Sequence, residues 1–321
     1  MKNLKKTKQL GIILCSSVLL LTMALPSCKK NGGDDPVNTK PEMQSKLTEA
    51  EEIRIMKAGF STNDAIKVGD SYLVEGDILL SAEDLNHQIK LVEGLKGKNG
   101  PSTEQYKSGY TLAAKYLNNG QIKIKIDAGN LQKLVTDATV IAIKRYNDLK
   151  LATTFVLETS STGTADIAVV MKDLGGRDGN GSIVLGRSGG FPRADSSPAP
   201  NFSLNNQYYN ATDFTANALA NVIAHEIGHC VGFRHTDYTD RKSCGFGAKG
   251  EPVTAYLTNA EGTAYLLDAK GNKIEDLTTT ATLIPGTVTK DSKSWMGACN
   301  SDISSFTAND KTAIYYLLGK Q

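Results

Sequence analysis

The stretch His225-Glu226-Ile227-Gly228-His229-Cys230-Val231-Gly232-Phe233-Arg234-His235 restricts this chain more than any other. The protein has four histidines in 321 residues, and three of them fall inside these eleven positions. His225 and His229 stand four apart, so on a helix both imidazoles leave the same face. Leu219, Val222, Ile223 and Ile227 recur at helical spacing, which predicts a helix over about residues 214–230. Gly232 follows the second histidine by three residues, and glycine tolerates the positive φ that ends a helix and turns the chain back. That turn carries His235 round towards the other two.

Three imidazoles gathered in this way are a ligand set for a metal ion. Zinc is the first candidate: it binds imidazole nitrogen at about 2.0–2.1 Å, and three protein ligands leave a tetrahedral position open to water. A structural zinc site would be closed by a fourth protein ligand, yet the remaining histidine, His87, lies far upstream. Glu226 follows the first ligand directly, where its carboxylate reaches the water rather than the ion. It is the candidate general base, taking a proton during attack on a carbonyl and passing it to the leaving amine. The alternatives for these residues are surface histidines on an ordinary helix, or a structural zinc.

The same eleven residues match H-E-x-x-H-x-x-G-x-x-H, the long zinc signature of the metzincins. The wording HEIGHCVGFRHTD resembles most the bacterial HEIGH metallopeptidases. The resemblance covers roughly residues 116–321. It implies an α/β (α+β) fold of two subdomains, with a twisted mixed sheet, a zinc helix and a methionine turn beneath the metal. Ser294-Trp295-Met296-Gly297 fits that turn, 61 residues after His235, with the Met296 thioether as a soft apolar floor; a stray methionine is the alternative. The run from Phe306 to Ile314 resembles the start of the C-terminal helix of astacin- and serralysin-like enzymes. Astacins carry tyrosine two residues after the methionine, and this chain has Ala298, which sets it apart from the astacins proper. The resemblance also implies a cleft where an antiparallel edge strand takes up peptide as an added strand. Residues 183–191 are the candidate strand, and residues 251–290 part of the pocket wall.

A further resemblance concerns latency. Val74-Glu75-Gly76-Asp77 is similar to the F-x-G-D motif of astacin pro-segments, with valine in place of phenylalanine. It implies that Asp77 ligates the zinc, where a carboxylate oxygen binds at about 2.0–2.2 Å and displaces water. An ordinary strand-end turn with solvated acids is the alternative. A cysteine ligand in this role is excluded, because no cysteine lies between Cys28 and Cys230. Residues 46–115 then read as a pro-segment and linker, with cleavage expected in 94–115, where Lys96, Lys98 and Lys107 offer nicking sites.

Upstream, residues 1–27 read as an export signal. A lysine-rich start precedes an apolar run too short for a membrane span, which needs roughly 20 residues. Leu25-Pro26-Ser27-Cys28 resembles a bacterial lipobox, with Cys28 acylated; a plain secretory signal with an incidental cysteine is the alternative. Residues 28–45 are a polar tether. The expected product is exported and lipid-anchored to the membrane of a bacterial cell envelope. Without the four lysines of the signal, 32 basic residues face 34 acidic ones. No basic stripe with interleaved aromatics suggests a nucleic-acid partner.

The rest of the chain reads as an α/β unit. Ile122, Ile124 and Ile126 alternate with lysines as a half-buried strand, and Leu131 to Leu149 recur at helical spacing. Strands are expected near Thr153–Leu157, 166–171, 183–185 and 202–209, and a closing helix over about 309–318. Cys244 and Cys299 flank the region between His235 and Met296, so a disulfide is expected between them. Cys230 is expected to be a buried thiol. Asp173, Asp178 and Asn180 lie in a glycine-rich turn and could bind calcium, although a solvated turn is the favoured reading. The chain is thus expected to be a monomeric zinc endopeptidase acting on peptide or protein. The rivals are a non-enzymatic surface lipoprotein for adhesion or glycan binding, and a zinc hydrolase of a non-protein or wall-peptide substrate. Glu226 argues against the former, since a binding module needs no general base.

Overall fold

Alternation in one strand and a buried helix beside it set the frame of the larger part of the chain. The computed structural model describes residues 43–321 apart from 61, 63–64, 96–105, 178–182, 212–213, 239–241, 245–256, 259–262, 268–272, 279–281, 288–290 and 301. The export signal, Cys28, nearly all of the tether, Lys96, Lys98, Asp178 and Asn180 lie outside the described residues. The described chain falls within one unit, Thr39–Gln321.

The elements begin with β1 (Gln44–Ser45), α1 (Glu49–Lys57), β2 (Ile66–Val68), β3 (Ser71–Val74), β4 (Ile78–Leu80) and α2 (Ala82–Leu95). Then come β5 (Tyr106–Lys107), α3 (Ala114–Leu117), β6 (Gly120–Asp127), α4 (Gln132–Asn147), β7 (Thr153–Leu157) and β8 (Ile167–Lys172). They are followed by β9 (Gly186–Ser188), β10 (Asn201–Asn205), α5 (Asn206–Ala211) and α6 (Ala216–Cys230). The last are β11 (Leu257–Thr258), β12 (Thr263–Leu267), β13 (Lys273–Thr278), β14 (Thr282–Leu283) and α7 (Ala308–Leu318). Among the described residues no helix is long and apolar enough to cross a membrane.

Nine strands form one mixed sheet in the order β1-β2-β3-β4-β9-β10-β8-β6-β7. In β6, Ile122 and Ile124 are fully buried while the intervening lysine is only partly so, the pattern of a strand with one face on a core. Parallel pairing of β6 with β7 and β8, and of β8 with β10, requires crossovers, which α4 and the long loops provide. Against this sheet lie Val135, Ala138, Ala142 and Tyr146 of α4 with Leu219, Ile223 and Ile227 of α6. Each large side chain buried here contributes about 1.5–3 kcal/mol. Two smaller sheets, β11-β12-β13 and β14-β5, lie apart from the main one.

Polar bonds tie the helices to the turn that carries Met296. The buried Tyr146 hydroxyl donates to Ala224 O at 2.8 Å and accepts from Trp295 Nε1 at 3.2 Å. At the start of α7, Asp310 accepts from Thr307 N at 2.9 Å and from Trp295 N at 3.3 Å, so a helix cap doubles as an anchor for residue 295. Cys244 and Cys299 are joined as a disulfide, and Cys230 is a free, buried thiol pushed upward in pKa by its burial.

Four expectations need correction. The strand expected at 183–185 is displaced to β9, Gly186–Ser188: Leu185 O still accepts from Asn205 N of β10, but Val184 O accepts from the Asn205 side chain, so regular pairing begins only at Gly186. The extended run expected to reach 209 stops at Asn205, whose side-chain oxygen accepts from Gln207 N and helps start α5. The expected free edge in 183–191 is not free: β9 pairs antiparallel with β10 on one side and parallel with β4 on the other, with Ile78 opposite Ser188. Finally, Lys107 is no loop residue, since it pairs with Thr282 and Phe233 and is half-buried.

Candidate metal and catalytic centre

Helix α6 owes its length to Thr215, whose hydroxyl accepts from Ala218 N, and to an apolar composition that lets it be buried all round from Leu219 onward. His225 and His229 leave one face of it. The helix ends where Gly232 takes φ +115°, and Phe233 N then bonds back to Gly228 O at 2.9 Å. This reversal sets His235 against the first two histidines. Their Nε2 atoms lie 3.0 Å (His225–His229), 3.2 Å (His225–His235) and 3.2 Å (His229–His235) apart.

The opposite ring nitrogens explain why these atoms face one another. His225 Nδ1 lies 2.7 Å from Trp295 O and His229 Nδ1 lies 2.8 Å from Phe233 O. A carbonyl can only accept, so both Nδ1 atoms carry protons and both Nε2 atoms present lone pairs. His235 Nδ1 lies 3.1 Å from Glu75 Oε2, a carboxylate oxygen, so it too carries its proton at that nitrogen. With all three rings neutral, three lone pairs would converge in a buried space and repel unless a cation sat among them. Tetrahedral zinc with nitrogens at about 2.0–2.1 Å would set them about 3.3 Å apart, so the donors fit the ion. Burial moves His229 down to about 4, which keeps that ring neutral as a ligand must be. Burial also opposes charge on His235, yet Asp77 and Glu75 carry it up to about 10.

The segment Ser294-Trp295-Met296-Gly297 packs against the helix that carries His225 and His229. Met296 is fully buried, its backbone oxygen accepts from Thr236 N at 2.9 Å, and a Cβ on Gly228 would collide with its sulfur. The adjoining Trp295 carbonyl is the group that orients His225.

Glu226 is 2% exposed, and among the described residues its Oε2 has no hydrogen-bond partner. Burial first, and then the nearby Asp77 charge, push its carboxyl well above the usual carboxylate range. Its place depends on Gly186, which no sequence argument singled out. A Cβ there would fall 2.8 Å from Glu226 Cδ and nearer still to Oε1. We expect Gly186→Ala to keep full zinc content while lowering kcat by about 10–100-fold, the scale of a reacting group displaced by about 1 Å. Steady-state kinetics beside metal analysis of the variant would check it.

Asp77 reaches the cluster from the tip of a hairpin. Strands β3 and β4 pair Val74 with Ile78, leaving Glu75-Gly76-Asp77 as the turn, with Glu75 at φ 52° and Gly76 at φ 88°. Asp77 Oδ2 lies 3.2 Å from His235 Nε2 and 3.4 Å from His225 Nε2, and Oδ1 lies 3.7 Å from His229 Nε2. Burial opposes its ionisation, but the imidazoles, His235 foremost, hold its carboxyl well below the usual range. Among the described residues its Oδ1 has no hydrogen-bond partner. Glu75, given no role by the sequence motif, proves equally engaged: it pairs with Arg234 and His235. Burial would raise it, but the Arg234 guanidinium and His235 bring it down to about 2. Two features could have pointed to this network, the unusual acid pair at 75 and 77 and an arginine beside a presumed ligand.

The remaining candidates lie apart. His87 bonds Tyr110 and takes no part in the cluster. Asp173, the described member of the calcium candidates, accepts from Gly175 N and Gln207 Nε2, so local groups engage both of its oxygens.

A family model for Peptidase_M57, described as the dual-action HEIGH metallo-peptidase, matches residues 73–264. Among solved structures, a structure of myroilysin aligns at 16% identity over 64% of this chain and 95% of its own, with a TM-score of 0.36. High choriolytic enzyme 1, a hatching enzyme zinc-protease from the Medaka fish Oryzias latipes, aligns at 14% identity over 66% and 94%, with a TM-score of 0.29. A search of curated proteins finds no match.

Proposed function

From the fact that this chain belongs to the dual-action HEIGH metallopeptidase family, we propose that it is a zinc-dependent endopeptidase with Glu226 as general base, held latent by Asp77. The observation that carries the reading is a buried, unpartnered carboxylate oxygen of Glu226 beside three converging imidazole lone pairs. When bound, zinc supplies Lewis acidity, polarising a carbonyl and acidifying water. Everything else falls to the chain. His225, His229 and His235 would hold the ion, each ring fixed by an acceptor on its distal nitrogen. Glu226, its carboxyl raised by burial, is suited to take a proton from water at Oε2 and return it to the departing amine nitrogen. Gly186 leaves room for that movement.

The hairpin from Val74 to Ile78 supports the latency reading. Asp77 sits where the reacting groups would meet, and β4 fills the pairing positions of β9 that an extended peptide would use. The parallel sense of β4 against β9 puts its peptide bonds in the reverse order to that of an antiparallel added strand. Cutting between residues 94 and 115 would release it. We further propose export and lipidation at Cys28, which mass spectrometry of the N-terminal peptide of envelope-extracted protein would reveal as an acylated cysteine.

The decisive experiment uses the full chain, nicked by limited trypsin and freed of trypsin. Casein or gelatin should be cleaved, cleavage should vanish with 1,10-phenanthroline, and added zinc should restore it. Cleavage indifferent to the chelator would remove the metal from the reading, and no cleavage of any peptide would remove the endopeptidase.

A further inference from the structure

We propose that Arg234 makes the enzyme select substrates with an acidic side chain close to the scissile bond, Glu75 occupying the place of that carboxylate in the uncut chain. The inference rests on the latency reading above, in which the hairpin leaves the cleft.

Arg234 stands next to the ligand His235, so its backbone is fixed relative to the metal centre. Its guanidinium is 2% exposed, with Cζ 4.1 Å from the Phe60 ring centre and 4.4 Å from the Tyr238 ring centre. It donates through Nη2 to Gly59 O at 3.1 Å and to Glu75 Oε1. Among the described residues its Nε has no partner. Sorted by origin, these partners divide unevenly. Phe60, Gly59 and Glu75 belong to the segment that would depart, and only Tyr238 belongs to the catalytic region.

Removal of the segment therefore uncovers a cation already positioned by stacking on Tyr238, stripped of its counter-charge and of its carbonyl acceptor. The same event strips His235 Nδ1 of its acceptor, because Glu75 gives one oxygen to Arg234 and the other to His235. A planar guanidinium left without an anion next to the metal ligands is complementary to a carboxylate. Glu75 shows which group fits, and it lies two residues along the chain from Asp77, the residue that meets the metal ligands. A substrate carboxylate within about two residues of the cleaved bond would restore both contacts. A neutral amide of the same shape would leave the charge unpaired.

The test uses full chain nicked between residues 94 and 115 and matched quenched peptides that differ only by Glu or Gln at single positions within two residues of the cleaved bond. We expect one position at which glutamate raises kcat/KM at least about tenfold, an effect of one charge-assisted pair. In Arg234→Gln that ratio should fall to within about twofold of unity, and Arg234→Lys should retain part of it, with zinc content measured for both. Equal cleavage of every pair by the wild type, or an intact preference in Arg234→Gln, overturns the proposal while leaving the peptidase reading standing. Should Arg234→Gln fail to fold, the wild-type ratio and the partial ratio of Arg234→Lys still decide. Absence of all cleavage would instead sink the peptidase reading and this inference with it.

Discussion

Glu226→Ala is expected to bind one zinc ion per chain and to lose at least about 100-fold in kcat, the usual contribution of a positioned general base. The expectation follows from the separation of roles in the centre. The three imidazoles converge on one another through Nε2 and are each fixed through Nδ1, and none of those fixing contacts comes from Glu226. Metal affinity should therefore survive its loss. The carboxylate sits in a buried slot beside Gly186, with Oε2 free of partners among the described residues, a costly arrangement unless the atom is needed for transfer. Metal analysis and single-turnover kinetics on nicked protein would test this together. Retained zinc with retained activity would refute the assigned base.

Asp77→Ala is expected to raise the activity of the uncut chain about 10–100-fold, the scale of one charged contact worth about 1.5–3 kcal/mol. Nicked enzyme, which has shed the residue, should be unchanged. The rise should fall short of full activity, because the pairing of β4 with β9 and the contacts of Glu75 to Arg234 and His235 remain. A second substitution, Glu75→Gln, should bring uncut protein closer to the nicked form. An Asp77→Ala chain as inactive as the wild type before nicking, and fully active after it, would mean that strand occupancy alone imposes latency.

The parts of this centre legible in the sequence were those fixed by local geometry. A helix places residues four apart on one face, a glycine past its end reverses the chain, and His225, His229 and His235 are thereby brought together without reference to the rest of the fold. The alternation of β6 was readable for the same reason. Features that depend on distant pairing were not. Val184 and Leu185 look like a strand, but regular pairing with β10 begins only at Gly186 because the Asn205 side chain takes the Val184 carbonyl, and Asn205 in turn ends the run that seemed to reach residue 209. The occupation of β9 by β4 joins residues more than one hundred positions apart, and no periodicity in either records it. Gly186 and Arg234 acquire meaning only once Glu226 and Glu75 are seen beside them.

The division of the apolar residues has a consequence for how inhibition depends on amount. The N-terminal cluster of Ile55, Phe60, Tyr72, Val74, Ile78, Leu80 and Leu85 includes, among its buried described residues, a single member from the catalytic region, Phe191. On the latency proposed above, an inhibitor that shares so little core with its host would rely on the covalent join for its local concentration, which for a short linker is on the order of millimolar. Cutting the linker replaces that fixed value with the concentration of fragments in solution. Nicked protein would accordingly re-inhibit itself in a crowded, concentrated setting and switch on when diluted, so that the cut permits activity and dispersal delivers it.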